Sequence, residues 1–261
     1  MDVEQVVGDG TRAAQAEVNR ARARARTGTV RVVRAVGWTL VWLGLLTLGF
    51  VVHQVWITSW FARQHQTVLA TERLAYFADA VPVEAEVTVE GSIVPEDEPA
   101  PEAEVLALPL VVESAPELHS AFALIRISAL ENLAEGWNVV EGVDVSDLKT
   151  GAGHIPATPL PGQPGNSVIS GHRTTYGAPF NRLDELVPGD RIEVDTAIGT
   201  HVYEMRTSVI VAPADVWVLE PRQGAWLTLT TCNPEYSARE RLVILAELVE
   251  GPNAEVIGMM R

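Results

Sequence analysis

The sequence predicts a mainly β domain, a sandwich or a barrel, carried behind one membrane-crossing helix. Three observations predict it. Past Leu118, short apolar runs alternate with Gly, Pro and Asp turns, the pattern of repeated short strands. From Ala35 to Ala62 there is no Asp, Glu, Lys or Arg, and roughly 20 residues at about 1.5 Å each cross a hydrocarbon core. Between Gln64 and Ser120, twelve acids face one basic side chain, Arg73, a composition that keeps a chain extended.

Taken in order, residues 1–34 form a basic N-terminus, with six arginines and no acid from Val18 to Arg34. Residues 35–62 form a transmembrane helix. Trp38, Trp56 and Trp60 lie near its two ends, where amphipathic rings prefer the membrane interface, and Trp42 sits about a turn further in. The run is too long for a signal peptide, and "TSWFARQ" lacks a small-x-small cleavage site. The preceding arginines keep the N-terminus in the cytoplasm, which places a single-pass protein in the cell membrane with its later domain extracellular.

Residues 63–117 read as an acidic Pro/Glu-rich stalk that holds the domain off the membrane. "RQHQTVLATERLAYFADA" continues the helix for a few turns, and the apolar stretch Val105 to Val112 is free to dock. So acidic a segment repels nucleic acid, whose binding depends on neutralising phosphates. Orientation and anionic lipid headgroups account for the basic N-terminus.

The domain spans residues 118–250. Its expected strands are "AFALIRIS" (121–128), "WNVVEG" (137–142), "NSVISG" (166–171), "DRIEVDT" (190–196), "HVYEMRTSVIV" (201–211), "WLTLTTC" (226–232) and "RLVILAEL" (241–248). "SALENLAEG" (128–136) and "APFNRLDEL" (178–186) read as short helices or turns between strands. Residues 251–261 form a C-terminal tail, expected to be loose.

Cys232 is the only cysteine, so an intrachain disulfide is impossible. Outside the cytoplasm such a thiol is buried, paired with another chain, or reactive. Sulfur attacks as thiolate, so a reactive cysteine needs a base or a positive environment. His172 stands at the end of an apolar strand, whereas His119, His154 and His201 lie elsewhere in the domain. Strand alternation puts Thr228, Thr230 and Cys232 on one face. If the strand after "NPEYSARE" pairs antiparallel, Arg241 lies at the same end as Cys232, where a guanidinium can hold a developing oxyanion. Arg239 shares strand parity with Arg241 and is its rival. An inert buried cysteine and a strand-end histidine without function are the plain alternatives. Cys/His ligand spacing and an ordered Asp/Glu pattern are both missing, so neither metal nor cofactor is expected. Asp184 and Glu185 read as surface groups.

"TLTTC" followed nine residues later by Arg241 is similar to the TLxTC…R signature of sortases. "GNSVISGHRTTYGAPF" resembles their histidine segment, and "HRTTYGAPF" in particular resembles class E. The likeness runs from about residue 121 to 250. It implies an eight-stranded β-barrel and a cysteine transpeptidase that cleaves LPxTG- or LAxTG-type sorting signals between Thr and Gly. By that likeness Cys232 is the nucleophile, His172 the general acid/base, and Arg241 the substrate and oxyanion ligand. Thr231 supplies a donor beside the substrate, and Tyr176 narrows the groove where the residue after Leu sits. The implied partners are secreted proteins bearing the signal and the amine of a peptidoglycan precursor resembling lipid II. One departure is "SALENLAEGWN", where many relatives carry a proline-containing segment; it bears on loop shape. A hydrolytic cysteine peptidase on the same scaffold, and a non-catalytic anchored β-domain binding wall components, are the alternatives.

Overall fold

The computed structural model describes residue 31, residues 33–89 and residues 106–259. The expectations for residues 1–30 and for the Pro/Glu-rich centre of the stalk, 90–105, lie outside the described residues. The chain divides into two compact units, Met1–His53 and Gln54–Arg261.

Helix α1 (Val33–Asp79) is the one described helix long and apolar enough to cross a membrane. Thr39 and Thr47 return their hydroxyls to the carbonyls of Ala35 and Leu43, so these polar groups leave no unpaired donor on an apolar surface. A π-helical turn occupies His53–Ile57, and Thr58–Asp79 continues as α-helix.

The second unit is a closed barrel of eight strands. After the pair β1 (Val83–Val89) and β2 (Leu106–Val112) come β3 (Ala121–Arg126), β4 (Trp137–Glu141), α2 (Val145–Thr150), β5 (Ala152–His154), β6 (Gly165–Ser170), β7 (Arg191–Thr196), β8 (Gly199–Val211), β9 (Ala225–Asn233), β10 (Glu240–Glu250) and α3 (Ala254–Met259). Around the barrel the order is β10-β8-β7-β3-β4-β5-β6-β9. Closure removes exposed sheet edges. All pairs are antiparallel except β4 with β5 and β6 with β9. Alternation is clear in β7, where Ile192, Val194 and Thr196 are buried while Glu193 and Asp195 face outward to Arg126. Phe122, Ile125, Ile169, Phe180, Leu183, Tyr203 and Leu227 fill the core with almost no exposure.

Three regions differ from the sequence expectation. The first part of the expected stalk packs on the barrel. Leu69 is buried, as is Ala62 at the end of the expected transmembrane run, and Gln66 accepts the Asn138 N–H (2.8 Å) and donates to the Thr150 carbonyl (2.7 Å). Next, β2 docks through Val111, whose N–H and carbonyl meet the amide of Asn253 at 2.9 and 2.8 Å. Charge composition there misleads because a few helix residues spaced three or four apart, Ala62, Gln66 and Leu69, meet the barrel, while Val68 and Leu74 stay exposed. Last, the described part of the expected loose tail, residues 251–259, packs on the barrel: Asn253 is fully buried and Ile257 joins the core. The short β5 and α2 also went unread, being three and six residues long, too short to carry a period.

Candidate active site

In β9 the buried residues Ala225, Leu227, Leu229 and Thr231 point into the barrel, and Thr230 and Cys232 take the other face, partly exposed. β10 returns antiparallel, with Arg241 directly opposite Cys232 and Leu242 opposite Thr231. Directly opposed residues project from the same face, with Cα atoms about 4.5–5.5 Å apart. Thiol and guanidinium therefore share one face at one end of the ladder. Arg241 donates to the carbonyls of Ala238 (3.2 Å) and Glu240 (3.0 Å), and no carboxylate among the described residues pairs with it. Arg239 lies before the strand, exposed in the turn, with its backbone N–H on Ser237 Oγ at 3.3 Å.

β6 runs parallel to β9, with Ser170 beside Thr230. Two bonds extend the register: Gly171 N–H to the Thr230 carbonyl (3.1 Å) and Thr231 Oγ1 to the Gly171 carbonyl (2.8 Å). His172 follows at once, so continuing the register brings it level with Cys232. Burial lowers the pKa of His172 below the ordinary imidazole value, which favours a neutral ring. The glycine before it is required by packing, because a Cβ at Gly171 would stand 2.6 Å from the Phe180 ring. Phe180 in turn donates its N–H to the His172 carbonyl (3.1 Å).

The hydroxyl proton of Thr231, expected to face substrate, is thus committed to Gly171, and its side chain is buried. Tyr176 has left-handed backbone (φ 53°), a position that costs a non-glycine residue about 1 kcal/mol. Its ring lies 5.1 Å from that of His172, with Lys149 Nζ 5.9 Å from its centre.

Arg173 was not singled out from the sequence. It is 6 % exposed and extends beneath the two strand ends. Its guanidinium donates to Asn233 Oδ1 (2.6 Å), reaches the Cys232 carbonyl (3.4 Å) and pairs with Asp184 at 2.9 Å. Asp184, expected as a plain surface group, is therefore the counter-ion of a buried cation. Asn181 adds a second tie, donating to the Arg173 carbonyl (2.7 Å) and to Glu235 (2.5 Å). The only signal in the sequence was a cation immediately after His172, and burial of that cation depends on tertiary packing.

The other domain histidines are accounted for elsewhere. His154 is buried between Glu141 (2.7 Å) and Thr158 (3.0 Å). His201, near the start of β8, is fully buried. His119, Asp144 and Asp147 bring possible metal-ligand atoms within 4.8 Å. Internal bonds explain that group: the Asp147 oxygens accept from His119 Nδ1 and from the Asp144 N–H, each at 2.9 Å.

Residues 125–249 match the sortase domain family. The chain is 28 % identical over 243 residues to sortase SrtE1 of Streptomyces coelicolor, covering 88 % of this chain and 61 % of that protein. It is 36 % identical over 97 residues to sortase D of Bacillus subtilis, covering 37 % of this chain and 48 % of that one. The chain thus spans less than two thirds of these curated relatives. Among solved structures, sortase E from Streptomyces avermitilis is 32 % identical over 53 % of this chain and 99 % of that one, with a TM-score of 0.47. The matched region contains the barrel strands and connections that carry His172, Cys232 and Arg241, and residues 125–249 form a sortase domain.

Proposed function

We propose that this chain is a membrane-anchored class E-type cysteine transpeptidase. The observation that carries the reading is the opposition of Cys232 and Arg241, with His172 brought level by the β6–β9 register. As Cys232 Sγ attacks the Thr carbonyl carbon of a sorting signal, neutral His172 takes the thiol proton. The oxyanion forms beside Arg241. The carbon–nitrogen bond to Gly breaks, His172 passes the proton to the leaving amine, and a thioester remains. An incoming amine attacks that thioester and yields its proton to His172, which returns it to sulfur. The acceptor proposed is a peptidoglycan precursor amine, and the clients are secreted proteins bearing LPxTG- or LAxTG-type signals. The arginines before α1 support a cytoplasmic N-terminus and an extracellular barrel.

A fluorogenic sorting peptide tests the reading, with and without an added oligoglycine amine. Transfer of the amine onto the Thr carboxyl is expected. Release of the free acid alone, unaffected by amine, favours the hydrolytic peptidase, and an inert peptide favours the binding domain. Tyr176, facing His172, is proposed to favour alanine over proline after Leu. One such contact is worth about 1–3 kcal/mol, or roughly 10- to 200-fold. A preference that survives Tyr176→Ala moves the selectivity elsewhere.

A further inference from the structure

The direction in which α1 meets the barrel has a consequence for how the enzyme stands on its membrane. Gln54 to Ala62, the last stretch of the charge-free run, belongs to the same compact unit as the barrel. Successive contacts give its course. Ala62 is 1 % exposed, and its Cβ lies 3.5 Å from where a Gly177 Cβ would stand. Gly177 belongs to the loop leaving His172, next to Tyr176. One turn later Gln66 bonds Asn138 and Thr150. Leu69 then packs with Val140 and Ala121. Finally Tyr76 sets its ring 6.4 Å from Phe122 and donates to the Ser114 carbonyl (2.7 Å).

Those contacts climb the barrel in one direction. β3 opposes β4 with Ala121 beside Val140 and Ile125 beside Trp137, so Trp137 marks the end where β3 finishes. β3 opposes β7, β7 opposes β8, and β8 opposes β10 with Val211 beside Arg241. The end of β3, the start of β4, Arg241 and Cys232 therefore share one end of the barrel, and Ala121 and Ser114 lie at the other. The helix enters at the catalytic end and leaves at the far end.

We infer that the barrel stands with its catalytic end toward the lipid bilayer, a surface formed by the His172 loop and the Pro234–Arg239 turn. This rests on the proposed membrane anchoring of the apolar run. Residues 35–62, ending just before Arg63, carry no charge, and Trp56 and Trp60, 73 % and 56 % exposed, are placed to mark the headgroup level. The catalytic loop touches the helix at Ala62, just past them. On the same end Tyr236, in the turn after Cys232, is 77 % exposed, and Val187, in the connection from β6 to β7, is 58 % exposed. The partner is the headgroup layer itself, held against the rim by the tether. Substrates then reach Cys232 from the membrane side, which suits a peptide whose tail is still in the bilayer and an amine carried on a lipid.

The sole cysteine makes the orientation measurable. The full-length chain is reconstituted in phosphatidylcholine vesicles bearing a headgroup energy-transfer acceptor and labelled at Cys232. Two further proteins in a Cys232→Ala background carry the label at the far end (Leu118→Cys) and just past the apolar run (Gln64→Cys). The fourteen residues from Ala62 to Tyr76 span about 21 Å, so Cys232 is expected about 20 Å nearer the headgroups than Leu118, with Gln64 close to Cys232. Leu118 reporting a distance equal to or shorter than that of Cys232, while Gln64 still transfers strongly, overturns the orientation alone. Loss of transfer from Gln64 together with release of the chain from vesicles overturns the anchoring and the orientation together.

Discussion

Cys232 and Arg241 are cross-strand neighbours, the last residue but one of β9 facing the second residue of β10. A cross-strand pair is fixed by the ladder, so the two side chains leave the same face of the sheet without any loop having to close. Arg239, two residues earlier, lies off the ladder and exposed.

The first prediction ranks the two arginines. Arg241→Ala is expected to lower kcat/KM by about 100- to 1000-fold, the loss typical of an oxyanion donor. Arg239→Ala is expected to lower it less than about fivefold, as exposed charges do. Steady-state kinetics on the sorting peptide decide it, and the reverse ranking means the register does not select the working cation.

Arg173 is predicted to be a positioning residue. It never faces substrate, yet it ties the residue after His172 to the Cys232 carbonyl and to Asn233. Arg173→Met leaves those part-buried acceptors without this donor, at up to about 1–3 kcal/mol. Its expected signature is a kcat at least tenfold lower with KM little changed, and a shifted pH profile of Cys232 alkylation. Asp184→Asn, losing a half-exposed partner, is expected to do much less. An Arg173→Met enzyme with wild-type kcat contradicts the clamp.

Gly171→Ala is predicted to destabilise the fold by about 1–3 kcal/mol through overpacking against Phe180. That corresponds to a Tm lower by roughly 2–4 °C per kcal/mol in a domain of this size. The double variant Gly171→Ala with Phe180→Leu is expected to recover part of the loss, a coupling that a thermal double-mutant cycle reads directly. Additive losses mean that the contact is not the cause.

Much of the fold was legible because strand alternation and turn residues are local signals. Seven of the eight barrel strands lie where the apolar runs placed them, and β9 carries its buried face at Leu227 and Leu229 as alternation requires. The pairing of Cys232 with Arg241 was legible for the same reason, since a short turn leaves little freedom of register. What escaped notice depends on distant partners. Gln66 and Leu69 sit in an acidic segment, and only the barrel wall beside them turns that segment into a docked helix. Arg173 looks like any surface cation until the strand ends close over it, and Thr231 looks free for substrate until Gly171 accepts its proton.

Two buried groups at the far side give a pH prediction with opposing signs. His201 is fully buried, and desolvation lowers its pKa to about 4. Its contribution to stability is complete above the unfolded value near 6.5 and is lost as pH falls toward 4. Glu113 is raised by burial to about 7, so its contribution is complete below the unfolded value near 4.5 and is lost as pH rises through 7. Between about pH 4.5 and 6.5 the two slopes offset each other. Glu113→Gln removes one of them. Denaturant unfolding of that variant is expected to show stability rising with pH across this window, whereas the parent is nearly flat. A flat variant contradicts the assignment.

The central claim is that Cys232 forms a thioester with the substrate's threonine carbonyl and passes it to an amine. Intact-mass spectrometry of the enzyme mixed with a sorting peptide, without amine, tests this most directly. The account predicts a covalent adduct with the mass of the peptide up to Thr, mapped to Cys232, that disappears when oligoglycine is added as the ligated peptide appears. It also predicts no adduct in Cys232→Ala, with the fold retained by circular dichroism. Ligated product from Cys232→Ala, or an adduct that maps to another residue, would contradict it.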